Sequence, residues 1–304
     1  MRRNFVTAAL LALGCLATLA AQADSIYRWK DRNGVVHYGD RPPVTPKGPV
    51  ARIPVRAEPG AMVRLRVEDN AGQYRAWADN ALAGPIEVML HFKHNNNMAG
   101  QPALPARALV RANASSLVAN LQPVDGSRTA RFELWLEGVP GDPNAKPVPF
   151  EYLVPLQRRG MRIDQGFGGS FSHSDPQNRH ALDFAAEAGT PVLAARSGVV
   201  MQVESDFDQA GLNREKYGGR ANFVRILHGD GTMALYAHLQ ENGVHVRLGQ
   251  HVRQGQQIGL SGNTGFTSGP HLHFVVQVNR GMRLESIPIS MRGSQGLLRF
   301  PQSR

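Results

Sequence analysis

Short segments that alternate apolar and polar residues, each ended by a turn signal, recur along most of the chain. MVRLRVED, PIEVMLHF, ARALVRA and RFELWLEG lie between residues 60 and 155 and are separated by runs such as HNNNMAG and PGDPNAKP. Alternation with a period of two predicts half-buried β-strands, and several short strands at this spacing favour an antiparallel β-sandwich. We therefore expect a mainly β protein with a β-sandwich-like domain at residues 56–155.

The segment 156–290 has the same strand character but is richer in glycine and histidine. GTPVLAARSGVVMQVE, ANFVRILHGDGTMALYAHL and HVRQGQQIGLSGNTG predict strands joined by tight glycine turns. We expect further strands here. The remaining residues, 291–304, are polar and predict a loose C-terminal tail.

The N-terminal end predicts export. Residues 1–23 have a basic start, an apolar run and the small-residue ending AQA, which is typical of a secretory signal peptide. No later segment has the roughly 18 apolar residues that a membrane span needs. We therefore expect a periplasmic or secreted protein without a transmembrane segment after signal cleavage.

Residues 24–55 predict a small hairpin module and a linker. DSIYRWKDRNGVVHYGDRPP contains two strand segments around an Asn-Gly turn signal, and the Pro/Gly-rich run TPKGPVARIPVRAEPG follows it. Such a module is similar to small units that follow signal peptides in bacterial envelope proteins. Residues 24–155 are therefore candidates for contacts with envelope protein partners, and targeting, inhibition and recruitment all stay open as their role.

The cysteine content limits the chemistry that the mature chain can perform. The single cysteine, Cys15, lies in the leader, so we expect neither disulfides nor a cysteine nucleophile in the mature chain. Acylation of Cys15 in a lipoprotein is less favoured, because the sequence after it stays apolar.

The net charge of +10 favours an anionic partner. The charges are scattered and no RNA- or DNA-binding motif is present, so we expect no nucleic-acid partner.

Three short stretches place polar groups in apolar strands. In SGPHLHF, His271 and His273 share one face of a predicted strand, because side chains two residues apart point the same way. In ALYAHLQ, regular alternation would put His238 on the same face as Tyr236. In HALDF, Asp183 is an acid in an apolar strand, which is costly to bury without a partner. A metal is a natural partner for such a carboxylate.

The order of these motifs resembles the lysostaphin-type (LytM-type) zinc metallopeptidases. A His upstream of a strand Asp, then GTPV, LYAHL, SGNTG and GPHLHF, follow one another over residues 160–285. The resemblance implies that residues 156–290 are an antiparallel β catalytic domain. It also implies a zinc-dependent metalloendopeptidase that hydrolyses peptide crosslinks of bacterial peptidoglycan. Zn²⁺ would be its cofactor and peptidoglycan its partner.

The resemblance also assigns roles to single residues. It implies zinc on Asp183 and His273, with His238 and His271 as catalytic imidazoles that activate water and stabilise the tetrahedral intermediate. The remaining ligand departs from the usual His-x-x-x-Asp pattern, because the residue four before Asp183 is an arginine. His180, three before the Asp, would face away on a regular strand. His173 is followed by a turn-rich loop that can bring it back, so we expect His173 as the ligand.

Two other classes of protein remain as alternatives. The first is a non-catalytic LytM-type regulator that binds and activates other cell-wall hydrolases. Such proteins typically lose metal ligands, whereas the Asp and the three motif histidines are all present here. The second is a lipoyl- or biotinyl-type carrier domain, which needs a lysine at a hairpin tip, and neither SGNTG nor RQGQQ contains one. The sequence therefore favours the enzyme.

Overall fold

The computed structural model describes residues 25–30, 36–39, 51–54, 61–157, 162–293, 296–298 and 300. The predicted signal peptide, residues 1–23, lies outside the described residues. The chain divides into two compact units, Met1–Gly60 and Ala61–Arg304. The described residues are mainly β, as predicted, and their helices amount to one short turn, α1 (Arg214–Tyr217). They include no helix long and apolar enough to cross a membrane.

The first unit contains a three-stranded antiparallel sheet in the order β2-β1-β3. Its strands are β1 (Ser25–Lys30), β2 (Val36–Gly39) and β3 (Ala51–Pro54). The β1–β2 pair is the hairpin that the sequence predicts, although its Asn-Gly turn lies outside the described residues. Strand β3 falls within the run that we expected to be only a linker.

Seven strands after residue 61 form two antiparallel sheets, in the orders β4-β5-β9-β7 and β10-β6-β8. Buried apolar residues of both sheets, among them Ala76 and Leu121 of one and Ile86 and Leu90 of the other, share one hydrophobic cluster. This packing of two sheets over one core is that of a β-sandwich. The strands are β4 (Val63–Asn70), β5 (Gln73–Asn80), β6 (Ile86–Asn96), β7 (Met98–Gln101), β8 (Ala106–Val110), β9 (Ser115–Pro123) and β10 (Arg131–Pro140).

A ten-stranded sheet dominates the following part of the chain, with the path β12-β13-β22-β18-β17-β15-β19. All neighbours along this path are antiparallel. The strands from here on are β11 (Glu151–Leu153), β12 (Ile163–Gln165), β13 (Leu182–Ala185), β14 (Pro191–Leu193), β15 (Gly198–Glu204), β16 (Ala210–Gly211), β17 (Asn222–Leu227), β18 (Met233–Val244), β19 (His251–Val252), β20 (Gln257–Ser261), β21 (Gly265–Phe266), β22 (His271–Asn279), β23 (Leu284–Ser286), β24 (Ser290–Gly293) and β25 (Gly296–Leu298).

One face of this sheet is buried in a hydrophobic core. Leu182 and Phe184 of β13 and Leu272 and Phe274 of β22 are fully buried there. Tyr236 of β18 joins them, with its ring centroid 5.1 Å from that of Phe274. Alternation along β13 and β22 therefore sends the residues between these core positions to the opposite face, as predicted.

The sandwich packs against the sheet through its own hydrophobic cluster. Met201, Met233 and Leu284 of the sheet belong to that cluster and are buried. Two polar contacts strengthen the junction: the Asn279 amide donates to the Gly141 carbonyl at 3.2 Å, and the Glu87 carboxylate accepts from the Met282 amide at 2.6 Å. Both parts thus belong to one compact unit.

The C-terminal segment differs from the expected loose tail. Strands β24 and β25 form a hairpin, and β24 pairs in parallel with β11. Met291 is fully buried, and the ring of Phe300 lies 5.2 Å from that of Phe167. The prediction of a loose tail at 291–304 is therefore wrong for its described part, because these apolar side chains pack on the core.

A buried histidine of this fold lies apart from the strands that carry the site. His228 follows β17 and is 3% exposed, and its Nδ1 donates to the Ser197 carbonyl at 2.8 Å. Its Nε2 has no hydrogen-bond partner. Burial lowers the pKa of His228 to about 4.

This burial predicts acid sensitivity. Between about pH 6.5 and pH 4, His228 is protonated in the unfolded chain but neutral in the folded protein. Lowering the pH through this range therefore favours unfolding. We expect the free energy of unfolding to fall by roughly 2 kcal/mol more in the wild type than in His228→Asn between pH 7 and pH 5. The asparagine amide retains a donor for the Ser197 carbonyl. Urea unfolding at both pH values measures the difference, and an equal fall in both proteins would contradict it.

Candidate active site

Asp183 and His273 meet on the face of the sheet opposite the core. The register of β13 and β22 pairs these two residues directly. Asp183 is 7% exposed and His273 is 8% exposed. The Nδ1 atom of His273 lies 2.8 Å from Asp183 Oδ1, at hydrogen-bond distance. The pairing of HALDF with GPHLHF therefore brings the imidazole of His273 within hydrogen-bond distance of the buried carboxylate of Asp183.

His173 reaches the same carboxylate from the loop before β13. It is fully buried, and its Nε2 lies 3.2 Å from Asp183 Oδ1. The Nδ1 of His173 lies 2.8 Å from the carbonyl of Gly166. Because a carbonyl oxygen can only accept, Nδ1 carries the proton and Nε2 keeps its lone pair. That Nε2 has no hydrogen-bond partner.

These three residues form a group that could hold a metal ion. One ligand atom from each of His173, Asp183 and His273 lies within 4.8 Å of the others. Two imidazole nitrogens and one carboxylate oxygen are a donor set that transition metals bind in proteins.

Electrostatics keeps the carboxylate of this group ionised. Burial, the largest influence, acts to raise the pKa of Asp183, but the imidazoles of His173 and His273 hold that pKa below its usual value. Burial also acts to lower the pKa of His173, and the neighbouring carboxylate more than offsets this, so that pKa is raised. Asp183 is therefore anionic at neutral pH, as a metal ligand must be.

His180, the other candidate for this position, lies elsewhere. Its Nδ1 lies 3.0 Å from the carbonyl of Ser286, and its backbone amide donates to the Ser286 hydroxyl at 3.1 Å. Its ring stands edge-on to Phe167 with the centroids 5.4 Å apart. The structure thus places His173, and not His180, beside Asp183.

His238 reaches the site by a route that regular alternation does not predict. Its φ of 62° lies in the left-handed region, and the register between β17 and β18 shifts at this point. The expectation that His238 shares a face with Tyr236 is therefore wrong. Tyr236 points into the core, where its hydroxyl accepts from the Ala195 amide at 2.7 Å. The irregularity at His238 turns the imidazole to the other face of the sheet, where it lines the cleft.

His238 and His271 stand side by side next to the three-residue group. Their ring centroids are 4.6 Å apart, and His271 Nε2 lies 3.7 Å from Asp183 Oδ1. Each Nδ1 contacts a backbone carbonyl, that of Thr264 at 2.7 Å and that of Gly269 at 2.8 Å respectively. Burial, and then the neighbouring imidazoles, lower the pKa of His238 to about 3. The Nε2 of His238 therefore keeps its lone pair at neutral pH.

One polar neighbour of the site has no counterpart in the predicted motifs. Gln165 of β12 donates from its amide to Asp183 Oδ2 at 3.2 Å and to the Ser172 hydroxyl at 2.7 Å. It thereby ties the carboxylate to the loop that carries His173. Nothing in the local sequence marks this glutamine, because its role follows from the pairing of β12 with β13.

The five predicted residues line or adjoin an open cleft of about 750 Å³. Its lining residues lie between Asp164 and Gln277, so the described strands of the sandwich contribute none of them. Phe171 and Phe266 stack at its edge with their ring centroids 5.6 Å apart. A buried His–Asp–His group beside two further imidazoles in a cleft is suited to a metal-dependent hydrolytic centre.

Two family models match the sequence. Peptidase family M23 matches residues 177–284, and a domain of unknown function (DUF4124) matches residues 13–64. This M23 match and the similarity to lysostaphin confirm the predicted resemblance to the lysostaphin type. The M23 match begins after His173, so the position of this histidine rests on the geometry of its loop.

Individual relatives match parts of the chain. Peptidoglycan DD-endopeptidase ShyA of Vibrio cholerae is 39% identical over 113 residues, which are 34% of this chain and 23% of that protein. Peptidoglycan DD-endopeptidase ShyC of the same organism is 40% identical over 134 residues, 41% of this chain and 28% of that protein. The chain thus spans less than a third of either curated relative. The catalytic domain of lysostaphin from Staphylococcus simulans is 33% identical, with a TM-score of 0.28, over 39% of this chain and 80% of that domain.

The geometry makes a prediction about metal binding. His173→Ala should lose stoichiometric binding of added zinc, because it removes one of the three donor groups of the candidate metal site. His180→Ala should retain it, because that ring contacts Ser286 and Phe167 instead. Metal content after dialysis, measured by mass spectrometry on folded protein, compares the two variants. Zinc retained by His173→Ala and lost by His180→Ala would reverse the assignment.

Proposed function

We propose that this protein is a zinc-dependent metalloendopeptidase that hydrolyses peptide crosslinks of bacterial peptidoglycan. The observation that carries the proposal is the convergence of five groups at one cleft. Three of them, His173, Asp183 and His273, form the candidate metal site, and the other two, His238 and His271, lie beside it. The match of residues 177–284 to peptidase family M23 supports the same reaction class.

The residues fit a zinc ion. The buried Nε2 of His173 has no hydrogen bond of regular geometry with a described residue, and it lies 3.2 Å from Asp183 Oδ1, another donor of the candidate metal site. The contact of its Nδ1 with the Gly166 carbonyl is the outer bond that metal-binding histidines usually make. In this proposal His173, Asp183 and His273 hold the ion. When bound, zinc supplies a Lewis acid that polarises a peptide carbonyl and favours deprotonation of water.

His238 and His271 supply proton transfer in this proposal. The carbonyls of Thr264 and Gly269 hold the Nδ1 protons of the two rings, so each Nε2 is ready to accept a proton. One Nε2 takes the proton of the attacking water, and a protonated imidazole then delivers a proton to the leaving amine. Both fixed tautomers reduce the reorganisation that these steps require. The adjacent ring stabilises the charge that develops on the carbonyl oxygen when its own Nε2 is protonated.

Peptidoglycan is the proposed substrate on two grounds. The relatives ShyA and ShyC, which match parts of this chain, are named as peptidoglycan DD-endopeptidases. The net charge of +10 also suits an anionic wall polymer. Such a substrate requires a periplasmic or secreted protein, which agrees with the export signal expected in residues 1–23. The alternative of a non-catalytic regulator is not favoured, because the described site has the whole set of groups that catalysis requires.

The division of roles predicts a split between binding and activity. His271→Ala should keep stoichiometric zinc while hydrolysis falls by roughly a hundredfold or more, because this ring moves protons and does not hold the ion. His251→Ala is a matched control, since His251 is an exposed histidine of β19 away from the cleft. Zinc content and the rate of crosslink hydrolysis are measured on the same preparations. Loss of zinc from His271→Ala would make it a ligand and overturn the assigned role.

Digestion of purified peptidoglycan sacculi tests the reaction itself. The zinc-loaded protein should release uncrosslinked muropeptides, which mass spectrometry identifies. A chelator should stop the release, and His238→Ala should not support it, because each removes a different part of the proposed centre. If the folded, zinc-loaded protein released no new muropeptides, the proposed enzymatic activity would be wrong, and the non-catalytic regulator would be favoured.

A further inference from the structure

The cleft contains a buried arginine that no acidic residue pairs with. Arg225 of β17 lines the cleft and is 8% exposed. Its guanidinium donates from Nη1 to Gln277 Oε1 at 2.7 Å, and its Nε has no hydrogen-bond partner among the described residues. Burial is the one influence on its pKa, which falls to about 10. Arg225 therefore remains a cation at neutral pH without a counter-ion among the described residues.

The other partly or fully buried arginines near the sheet have partners of their own. Arg196 lies 2.8 Å from Asp230 Oδ2. Arg220, on the wall of the cleft, lies 3.7 Å from Glu204 Oε1 and over the ring of Phe207. A buried charge without such compensation costs several kcal/mol. Arg225 thus differs from these two arginines because it has no acidic partner among the described residues. A carboxylate of a bound ligand would supply one.

The nearby acid of the cleft does not serve as that partner. The carboxylate of Asp175 accepts hydrogen bonds from the backbone amide of Gln177 and from the backbone and side chain of Asn178. These bonds form the turn of its own loop. They leave the guanidinium of Arg225, which lines the cleft, without an acidic partner among the described residues.

Gln277 fixes the arginine in place. Its amide Nε2 donates to the Gln177 carbonyl at 2.9 Å, which orients its Oε1 towards Arg225. Gln277 is 2% exposed, so neither side chain can swing freely into solvent. The two side chains form a rigid donor site, and a planar guanidinium of this kind matches a carboxylate in a two-bond arrangement.

The position of this pair relates it to the candidate metal site. Gln277 and His273 lie four residues apart on the same face of β22, which corresponds to about 13 Å. An extended peptide covers this distance in about four residues. We propose that Arg225, positioned by Gln277, binds a carboxylate of the peptide substrate a few residues from the bond that is cut. This subsite deepens the proposed peptidase function and rests on it.

The test measures binding without hydrolysis. Crosslinked muropeptides are prepared in two forms, native and with their carboxylates converted to carboxamides by carbodiimide and ammonium. Binding of each form to zinc-loaded His238→Ala protein is measured by titration calorimetry. We expect the native form to bind roughly tenfold more tightly or better, a preference of about 1.4 kcal/mol or more. Equal binding of the two forms would overturn the subsite while leaving the proposed peptidase intact.

Second substitutions assign the preference to Arg225. In the His238→Ala background, Arg225→Gln should bind both forms equally weakly. Arg225→Lys should keep part of the preference, because it retains the charge without the planar fork. Arg253→Gln, an exposed arginine outside the cleft, should leave the preference unchanged. If folded Arg225→Gln or Arg225→Lys protein kept the full preference for the native form, the assignment to Arg225 would be wrong. If the His238→Ala protein bound neither form, the proposed substrate would be wrong as well.

Discussion

A carboxylate held inside a β-sheet is the constraint on which the rest of the site depends. Asp183 lies between Leu182 and Phe184, which are fully buried core residues, and is itself 7% exposed. An unpaired charge at this position would cost several kcal/mol, so the fold must bring compensating groups to it. The pairing of β13 with β22 places His273 opposite Asp183, and the preceding loop brings His173 to within 3.2 Å. The same groups that make this burial tolerable are those that can bind a metal.

The left-handed residue His238 is the second constraint, and one threonine supports it. A non-glycine residue in this conformation costs on the order of 1 kcal/mol. The carbonyl of Thr264 accepts from His238 Nδ1 at 2.7 Å, while its hydroxyl donates to the Leu239 carbonyl at 2.8 Å. That hydroxyl also accepts from the Asn222 amide at 3.1 Å, across the irregular step between β17 and β18. Thr264 thus holds the strand irregularity and the imidazole together, which explains why the loop SGNTG belongs beside the site.

Sequence reasoning succeeds where strands are regular and fails where they are not. Alternation with a period of two is enough to place His271 and His273 on one face of β22, opposite Leu272 and Phe274, because the pairing of β22 with β13 is regular there. The same rule misplaced His238 relative to Tyr236, because a single residue in the left-handed region reverses the alternation. His173 is preferred over His180 only on the basis of turn residues, since the loop between His173 and β13 has no regular period. The C-terminal hairpin was missed because its few apolar residues become informative only once the core that they cover is known.

The subsite at Arg225 shows what local patterns cannot reveal, because it arises from pairing across strands. Arg225 and Gln277 are far apart in sequence and meet only when β18 aligns β17 with β22. The same face of β22 continues from Gln277 to Asn279, where the sandwich contacts the sheet. His273 and Asn279 are six residues apart, which corresponds to about 20 Å along the strand. One strand thus carries a candidate metal ligand near one end and a contact with the sandwich near the other, and only the pairing of whole strands brings Arg225 into line with both.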